Sequence, residues 1–512
     1  MNENDITQPD LARRIRAAAP GGRLVSDSRR LKAGDVFFAY PGEAADGRNF
    51  IAAAIAAGAA AVVYEESGYT WNTEHDVPHF AVPELKKNAG PIAHAVLNCP
   101  DAQMFTVAVT GTNGKTSCAV WTGQALARLG ETAAVVGTLG VGVMKGKGSA
   151  AEPQFDATGY TTPDAVLLAQ TLADLRGRGA TALAIEASSI GLVQDRAAGM
   201  HFDVAIFTNL TRDHLDFHGS MENYEAAKVK LFEWEGLKHA VVNLDDPAGR
   251  RLVAHLRANF AQLPVTGYTL KNDTEQAAIE GVRILRASQL RSRNAGTEFH
   301  LDSPLGAATV KTRLVGHFNV SNALAVLGAL LAKDVPLKQA VDAIEALVPA
   351  PGRMQQIGGQ DAPMVVIDYA HTPDALEKTL DALRQVAHER GGQLWCVFGC
   401  GGDRDPGKRP QMGAAAEAAD HILVTSDNPR SEEPAGIIAQ VVAGIRKEYQ
   451  AVEDRATAIL LAVKNAAKPD VILLAGKGHE PYQEIKGKKI PFSDADHASL
   501  ALTARLTMMR TH

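Results

Sequence analysis

Cysteine is scarce: the chain of 512 residues has only Cys99, Cys118, Cys396 and Cys400. That excludes a disulfide framework and fits a reducing cytosol. Cys396 and Cys400 flank an expected strand end without the further ligands of a metal site, so they read as buried thiols. A signal-peptide core is also missing, since the chain opens with Asn2, Glu3, Asn4 and Asp5. The longest alanine-rich apolar run, Ile51 to Val63, is too short to span a membrane. A formal net charge of -6 argues against broad nucleic-acid binding. No short-period repeat suggests a solenoid. A cytoplasmic location is the expectation.

What is present is a globular composition, 46% apolar, in a chain too long for one core. Three α/β units are expected, at 1–103, 104–349 and 350–512. In the first, strands at Val36 to Ala39 and Ala61 to Tyr64 bracket an alanine-rich helix from Phe50 to Ala57. Ser28 and Arg29, with Asp46, Gly47 and Arg48, sit in polar turns that read either as solvated loops or as an anion-binding edge.

In the second unit, apolar runs at Phe105 to Val109, Ala133 to Val136, Thr181 to Ile185, Val204 to Phe207 and Ala240 to Val242 alternate with helical segments. This pattern predicts a mainly parallel sheet with helices on both faces. From about 265 to 315 an antiparallel addition is expected. Pro349 to Arg353 reads as a linker. The third unit repeats the α/β pattern, with strands at Met364 to Ile367, Leu394 to Phe398, His421 to Thr425 and Val471 to Ala475.

The first of the central strands runs into Thr110-Gly-Thr-Asn-Gly-Lys-Thr116 and then a helix from Ser117 to Leu129. Strand, glycine turn, Lys-Thr and helix form a phosphate-binding layout. Backbone N–H groups of Gly111, Thr112, Asn113 and Gly114 face the anion, Lys115 supplies a charge, and the Thr116 hydroxyl reaches magnesium. Val109 stands where the strict pattern has its first glycine.

Glu186 and His214 each follow a strand of this sheet and fall on its carboxyl edge. Two readings stand for them: magnesium ligands beside a polyphosphate, or hydrogen-bonded loop closers. Lys228 and Lys230 are two positions apart on a helix, so they cannot share a face, and spacing gives no reason to single out Lys228. In the third unit, Arg404 and Arg430 suit a carboxylate, and Glu480 suits an ammonium. An amino-acid site and a set of interdomain salt bridges both fit these residues.

Taken in order, several motifs resemble the Mur ligase family from end to end. They are Ser26-Asp-Ser-Arg29, Asp46-Gly-Arg48, Thr110 to Thr116, Tyr224-Glu-Ala-Ala-Lys228, His317-Phe-Asn-Val-Ser-Asn-Ala323, Asp368-Tyr-Ala-His-Thr-Pro373, Gly399-Cys-Gly-Gly-Asp-Arg404, Asp427-Asn-Pro-Arg430 and Gly476-Lys-Gly-His-Glu480. The resemblance implies an N-terminal UDP-binding domain, a central P-loop-type ATPase domain and a Rossmann-like C-terminal domain. It also accounts for the shortened phosphate loop.

Carried over position by position, it implies that Ser28 and Arg29 lie near uridine, and that Thr161, Thr162, Ser188, Gln194 and Arg196 line the sugar-peptide path. Lys115 and Thr116 would hold ATP phosphates and Mg2+, with Glu186 and His214 at the metal. Lys228 would carry a carbamate. Asn319, Arg353, Asp368 and His371 would contact the nucleotide. Arg404, Asp427, Asn428, Arg430, Gly476 and Glu480 would receive the amino acid.

Within the family, Asp427-Asn-Pro-Arg430 goes with meso-diaminopimelate rather than lysine, because Arg430 suits the extra carboxylate and repels a terminal ammonium. The implied activity is ATP-dependent joining of meso-diaminopimelate to UDP-N-acetylmuramoyl-L-alanyl-D-glutamate by a cytoplasmic monomer. Relatives commonly have histidine where this chain has Ile190, which weakens the substrate assignments around Ser188. Ser28-Arg29 and Arg430 argue against the runner-up, a folylpolyglutamate synthase-like ligase with the same core chemistry. The clustered Arg404, Arg430 and Glu480 argue against a nucleotide switch, because they imply a second substrate that a switch would not require.

Overall fold

The computed structural model describes residues 8–42, 45–146, 155–156, 158–271, 279–293 and 296–510. The expectation drawn from Asn2 to Asp5 lies outside them. Four sheets organise the described residues. Leu24–Val25, Val36–Ala39, Ala61–Glu65 and His79–Val82 form a small parallel sheet in that order.

The central sheet has eleven described strands. Its parallel body runs, in spatial order, Val282–Arg293, Val265–Thr269, His239–Asn243, Val204–Phe207, Phe105–Thr110, Ala182–Glu186 and Thr132–Gly137. Antiparallel strands extend both edges: Gly296–Ser303 and Gly306–Thr312 on one, Gly140–Lys145 and Phe155–Asp156 on the other. The expected antiparallel addition therefore starts later than residue 265, because Val265–Thr269 and Val282–Arg293 still pair parallel. The strand Gly140–Lys145 escaped the sequence reading; its glycines and Met144 blur the β pattern.

Side-chain alternation explains why both faces of this sheet are covered. Val107, Val109, Ala182, Ala184, Val204 and Ile206 point into one apolar cluster. Ala108, Leu183, Ile185, Ala205 and Phe207 point into the other. The helix Lys115–Arg128 is buried along nearly its whole length on the first face, beside His317–Ala332.

The third sheet orders Gln355–Gly358, Met364–Asp368, Val471–Ala475, Leu394–Phe398, His421–Val424 and Gln450–Ala451, parallel except at the first strand. A hairpin of Tyr482–Ile485 and Lys488–Pro491 stands apart. The small N-terminal sheet packs against the central unit through Val166 and Ala169 of the helix Ala165–Gly177. Leu24 N–H donates to Gln170 Oε1 at 3.0 Å, and Ser26 Oγ donates to Asp164 at 2.9 Å. Cys118, Cys396 and Cys400 are buried and Cys99 is exposed, all as free thiols. Among the described residues no helix is long and apolar enough to cross a membrane.

Candidate active site

A cleft of about 990 Å³ opens where the carboxyl edge of the central sheet meets the third sheet. The strand Phe105–Thr110 lies in the middle of its sheet, so its terminal loop is delivered to the centre of the cleft. Gly111 has φ 146°, and a Cβ there would fall 1.9 Å from Thr208 Oγ1; only glycine fits. Gly114 has φ 90°, and its Cβ would lie 2.6 Å from Asn322 Oδ1. The loop is pinned by Asn113 N–H donating to Asn209 Oδ1 at 2.8 Å and by Thr112 Oγ1 lying 3.1 Å from Tyr224 OH. Lys115 Nζ curls back onto the carbonyls of Gly111 and Thr112, at 2.9 and 2.8 Å. Burial lowers its pKa, opposed by Glu186 and Asp213.

Glu186 ends the neighbouring strand. It accepts from Thr116 Oγ1 at 3.1 Å, Thr138 N–H at 2.8 Å and Thr138 Oγ1 at 3.1 Å. Magnesium prefers oxygen ligands and retains waters. Thr116 Oγ1 and Glu186 Oε2 fit such an ion, and no group of three His, Cys, Asp or Glu among the described residues forms a dedicated metal cage. His214 sits beside them on the cleft wall in a left-handed conformation, φ 52°. Burial lowers its pKa, opposed chiefly by Asp213.

Asp213 was not singled out from sequence. Its carboxylate lies 3.6 Å from His214 Nε2 and 3.9 Å from His371 Nε2, so it faces histidines from both units. Burial raises its pKa, but the two imidazoles and Lys408 outweigh that and hold it down. An aspartate beside a motif histidine was the available signal.

Lys228 is only 1% exposed, unlike the solvated lysine that helix spacing alone suggests, while Lys230 is exposed. Its ammonium lies 4.2 Å from the centre of the Tyr224 ring. Burial, then the charge of Lys115, drives its pKa well below the usual lysine range.

Across the cleft, Arg353 Nη2 donates to Thr116 Oγ1 at 3.2 Å and its guanidinium stacks 4.3 Å from the Tyr369 ring centre. Asp368 accepts from the Met354 and Ala370 amides at 2.8 and 2.9 Å; burial raises its pKa. Asn319 and His371 complete this wall. Asn113 Nδ2 reaches Asp374 at 3.2 Å, a second polar link between the sheets.

Farther along, Arg404, Asp427, Asn428, Arg430, Gly476 and Glu480 line one end of the same cleft. Arg430 has φ 52°; its Nη1 donates to Gly402 O at 2.6 Å and its Nε lies 3.4 Å from Glu484. Among the described residues, the ion pair of Arg430 is with Glu484 of its own unit. Arg212 with Asp405 at 3.6 Å crosses between the two units, as His371 with Asp213 does.

Other expected residues sit at or outside the margin. Thr161 and Ser188 line the cleft, while the buried Thr162 lies just behind, bonded to Ser188 Oγ at 3.0 Å and to the Glu186 carbonyl at 2.9 Å. Arg196 donates to Thr162 O at 3.0 Å from outside the cleft. Gln194 belongs to a separate shallow depression with Glu84 and Lys87. Ser28 and Arg29 form a short turn on the N-terminal sheet, with Arg29 exposed and paired to Asp27 at 2.8 Å. Ile190 is partly buried. A histidine does reach that stretch from elsewhere: His218 Nε2 is 2.9 Å from Ser189 Oγ.

Comparisons with known proteins agree with this layout. Three family models match in sequence order: "Mur ligase family, catalytic domain" over residues 23–96, "Mur ligase middle domain" over 109–330 and "Mur ligase, glutamate ligase domain" over 352–478. A UDP-N-acetylmuramoyl-L-alanyl-D-glutamate--2,6-diaminopimelate ligase from Janthinobacterium sp. (strain Marseille) is 61% identical, over 96% of each chain. The chain belongs to the Mur ligase family. A ligase of the same name from Ralstonia nicotianae is 52% identical over 96% of this chain and 95% of the other. A solved structure of a ligase so named superposes with a TM-score of 0.65 at 37% identity, covering 94% of this chain and 95% of that one. The MurF ligase from Thermotoga maritima, crystallised with ADP, shares the fold at 19% identity and a TM-score of 0.64, over 95% of this chain and 98% of its own. Like other Mur ligases, this chain is an ATP-dependent, amide-forming ligase.

Proposed function

We propose that this Mur ligase joins meso-diaminopimelate to the D-glutamyl residue of UDP-N-acetylmuramoyl-L-alanyl-D-glutamate at the expense of ATP, in the cytoplasm and as a monomer. The observation that carries this reading is a single cleft with a phosphate loop at one end and Arg404, Arg430 and Glu480 at the other. The units divide the work at 1–103 for the UDP end, 104–349 for ATP and 350–512 for the amino acid.

A carboxylate is a poor electrophile, so it must be activated. The side-chain carboxylate of the D-glutamyl residue attacks the γ-phosphorus of ATP and ADP leaves, giving an acyl phosphate. Lys115, released from the carbonyls of Gly111 and Thr112, offsets charge on the transferring phosphoryl group, helped by the loop N–H groups. Thr116 and Glu186, with His214 and a carbamate on Lys228, would hold Mg2+, which supplies electrostatic stabilisation of the phosphates when bound. Arg353, Asn319, Asp368 and His371 orient the nucleotide from across the cleft. The uncharged amine of diaminopimelate attacks the acyl carbon, loses a proton, and expels inorganic phosphate to leave an amide. Ser28 and Arg29 anchor the uridine end, and Thr161, Thr162, Ser188, Gln194 and Arg196 guide the sugar-peptide. Closure of the cleft keeps water from the acyl phosphate.

The test is phosphate release from ATP with the UDP-muramoyl dipeptide. Release that requires meso-diaminopimelate supports the proposal. Equal release with lysine, or without any amine, refutes it.

A further inference from the structure

The end of the cleft that carries Glu480 contains a buried cation for which the reaction scheme above has no use. Lys477 lies in the loop after the strand Val471–Ala475, and its side chain is 0% exposed. Its Nζ lies 3.0 Å from Asn428 Oδ1, 3.0 Å from Glu480 Oε2 and 3.8 Å from Asp427 Oδ1. A lysine so fully enclosed keeps its charge only when paired and hydrogen-bonded, and all three of its partners belong to the proposed amino-acid site.

The hydrogen-bond inventory makes the arrangement directional. Lys477 has only donors, and so does the Glu484 N–H, 2.9 Å from Asn428 Oδ1. Two donors facing one end of the Asn428 amide require oxygen there, which turns Nδ2 toward Glu480 Oε2 at 2.8 Å. Glu480 Oε2 thus accepts from both Lys477 and Asn428, while Oε1 has no protein partner among the described residues. Gly476 lets the loop come this close, since a Cβ there would fall 2.4 Å from Asp427 Oδ2. The Lys477 ammonium faces the carboxylates of both Asp427 and Glu480.

We propose that Lys477 is a positioning residue for amine specificity: it fixes Asn428 and one oxygen of Glu480 so that Glu480 Oε1 is presented to the ammonium of the incoming amino acid. The ammonium concerned is the distal one, because the attacking amine must be uncharged and turned toward the acyl phosphate. Arg430, next to Asn428 in the chain, takes the distal carboxylate, so the two charges of the distal centre are read side by side. This rests on the function proposed above.

The experiment uses the full chain carrying Lys477→Met, which keeps the length of the side chain and removes its charge. Phosphate release is measured with meso-diaminopimelate and with 2-aminopimelate, which lacks the distal amine, and KM is determined for each substrate. The expected result is a rise of about tenfold or more in KM for meso-diaminopimelate, with KM for ATP and for the UDP-muramoyl dipeptide within twofold of the parent. Preference for meso-diaminopimelate over 2-aminopimelate should shrink to a similar extent. In a double-mutant cycle, Glu480→Gln should cost less in the Lys477→Met background than in the parent. Equal rises for all three substrates, or an unchanged preference between the two amino acids, would overturn the assignment. Should Lys477→Met not fold, Lys477→Gln repeats the measurement, and recovery of both only as unfolded chains would assign the lysine to stability and overturn the proposal. A parent enzyme that does not use meso-diaminopimelate at all would instead refute the functional reading.

Discussion

Thr116 Oγ1 donates to Glu186 Oε2 across 3.1 Å, joining the phosphate loop to the end of the adjacent parallel strand. The approach is possible because residue 137, on the next strand, is glycine; a Cβ there would come 2.2 Å from Glu186 Oε1. Glu186→Gln preserves shape but removes the charge. It should lower kcat by about 100-fold and raise the magnesium concentration needed for half-maximal rate. Phosphate release over a magnesium titration measures both, and an unchanged titration would remove Glu186 from the metal site.

Gly111→Ala places a methyl group against Thr208 Oγ1 in a backbone region that L-residues avoid. Strain of about 1–3 kcal/mol is expected, enough to distort the loop. Thermal unfolding with and without ATP should show a lower Tm and loss of most of the nucleotide-dependent gain in Tm. A full ATP-dependent gain would mean that the loop tolerates the methyl group.

Lys228 is buried, with its pKa driven well below normal, and carbamate formation consumes a neutral amine. Degassed, bicarbonate-free buffer should therefore slow the enzyme, and added bicarbonate should restore it. Lys228→Ala should lose about 100-fold in rate and no longer respond to bicarbonate. Electron density for a carbamate on Lys228 is the direct check; an activity indifferent to bicarbonate in the parent argues against the modification.

Arg430→Ala should raise KM for meso-diaminopimelate by about tenfold to 100-fold, the scale of a lost charge-assisted bond. ATP binding should stay within twofold. Comparable losses for both substrates would count against a role at the distal carboxylate.

His239 begins a central strand with Nε2 2.8 Å from Thr266 Oγ1, and burial lowers its pKa from 6.5 to about 4. The folded state thus disfavours the charged ring, and between these two values the unfolded chain binds more protons. The stability is complete above about pH 6.5 and is lost as pH falls toward 4, up to about 3 kcal/mol from this residue. Denaturant unfolding of the parent and His239→Gln between pH 4 and 7 measures this; the variant should show the shallower decline.

Much of the molecule was legible from the chain. The central strands run uninterrupted through Val, Ala and Ile because both faces are covered, so Val204–Phe207 and Leu394–Phe398 were placed residue for residue. Gly140–Lys145 was not, since its glycines interrupt the apolar run, nor was Tyr482–Ile485, whose half-buried residues lack a continuous apolar signal. In the site, glycine turns and charged residues at strand ends announced themselves. Asp213 and Lys477 did not, because an aspartate or lysine between motif positions looks the same whether solvated or enclosed.

The sequence by itself determined the parallel α/β architecture, the phosphate loop and the order of the binding motifs, because periodicity and glycine placement are local properties of the chain. Only the tertiary structure decided that Lys228 is sealed against Tyr224 while Lys230 faces solvent, and that Arg404 and Arg430 line the same cleft as the phosphate loop. It also decided that Lys477 joins Asp427, Asn428 and Glu480. Burial and charge pairing depend on which distant segments pack together, and those contacts set both the pKa of an amine and the direction in which a carboxylate points.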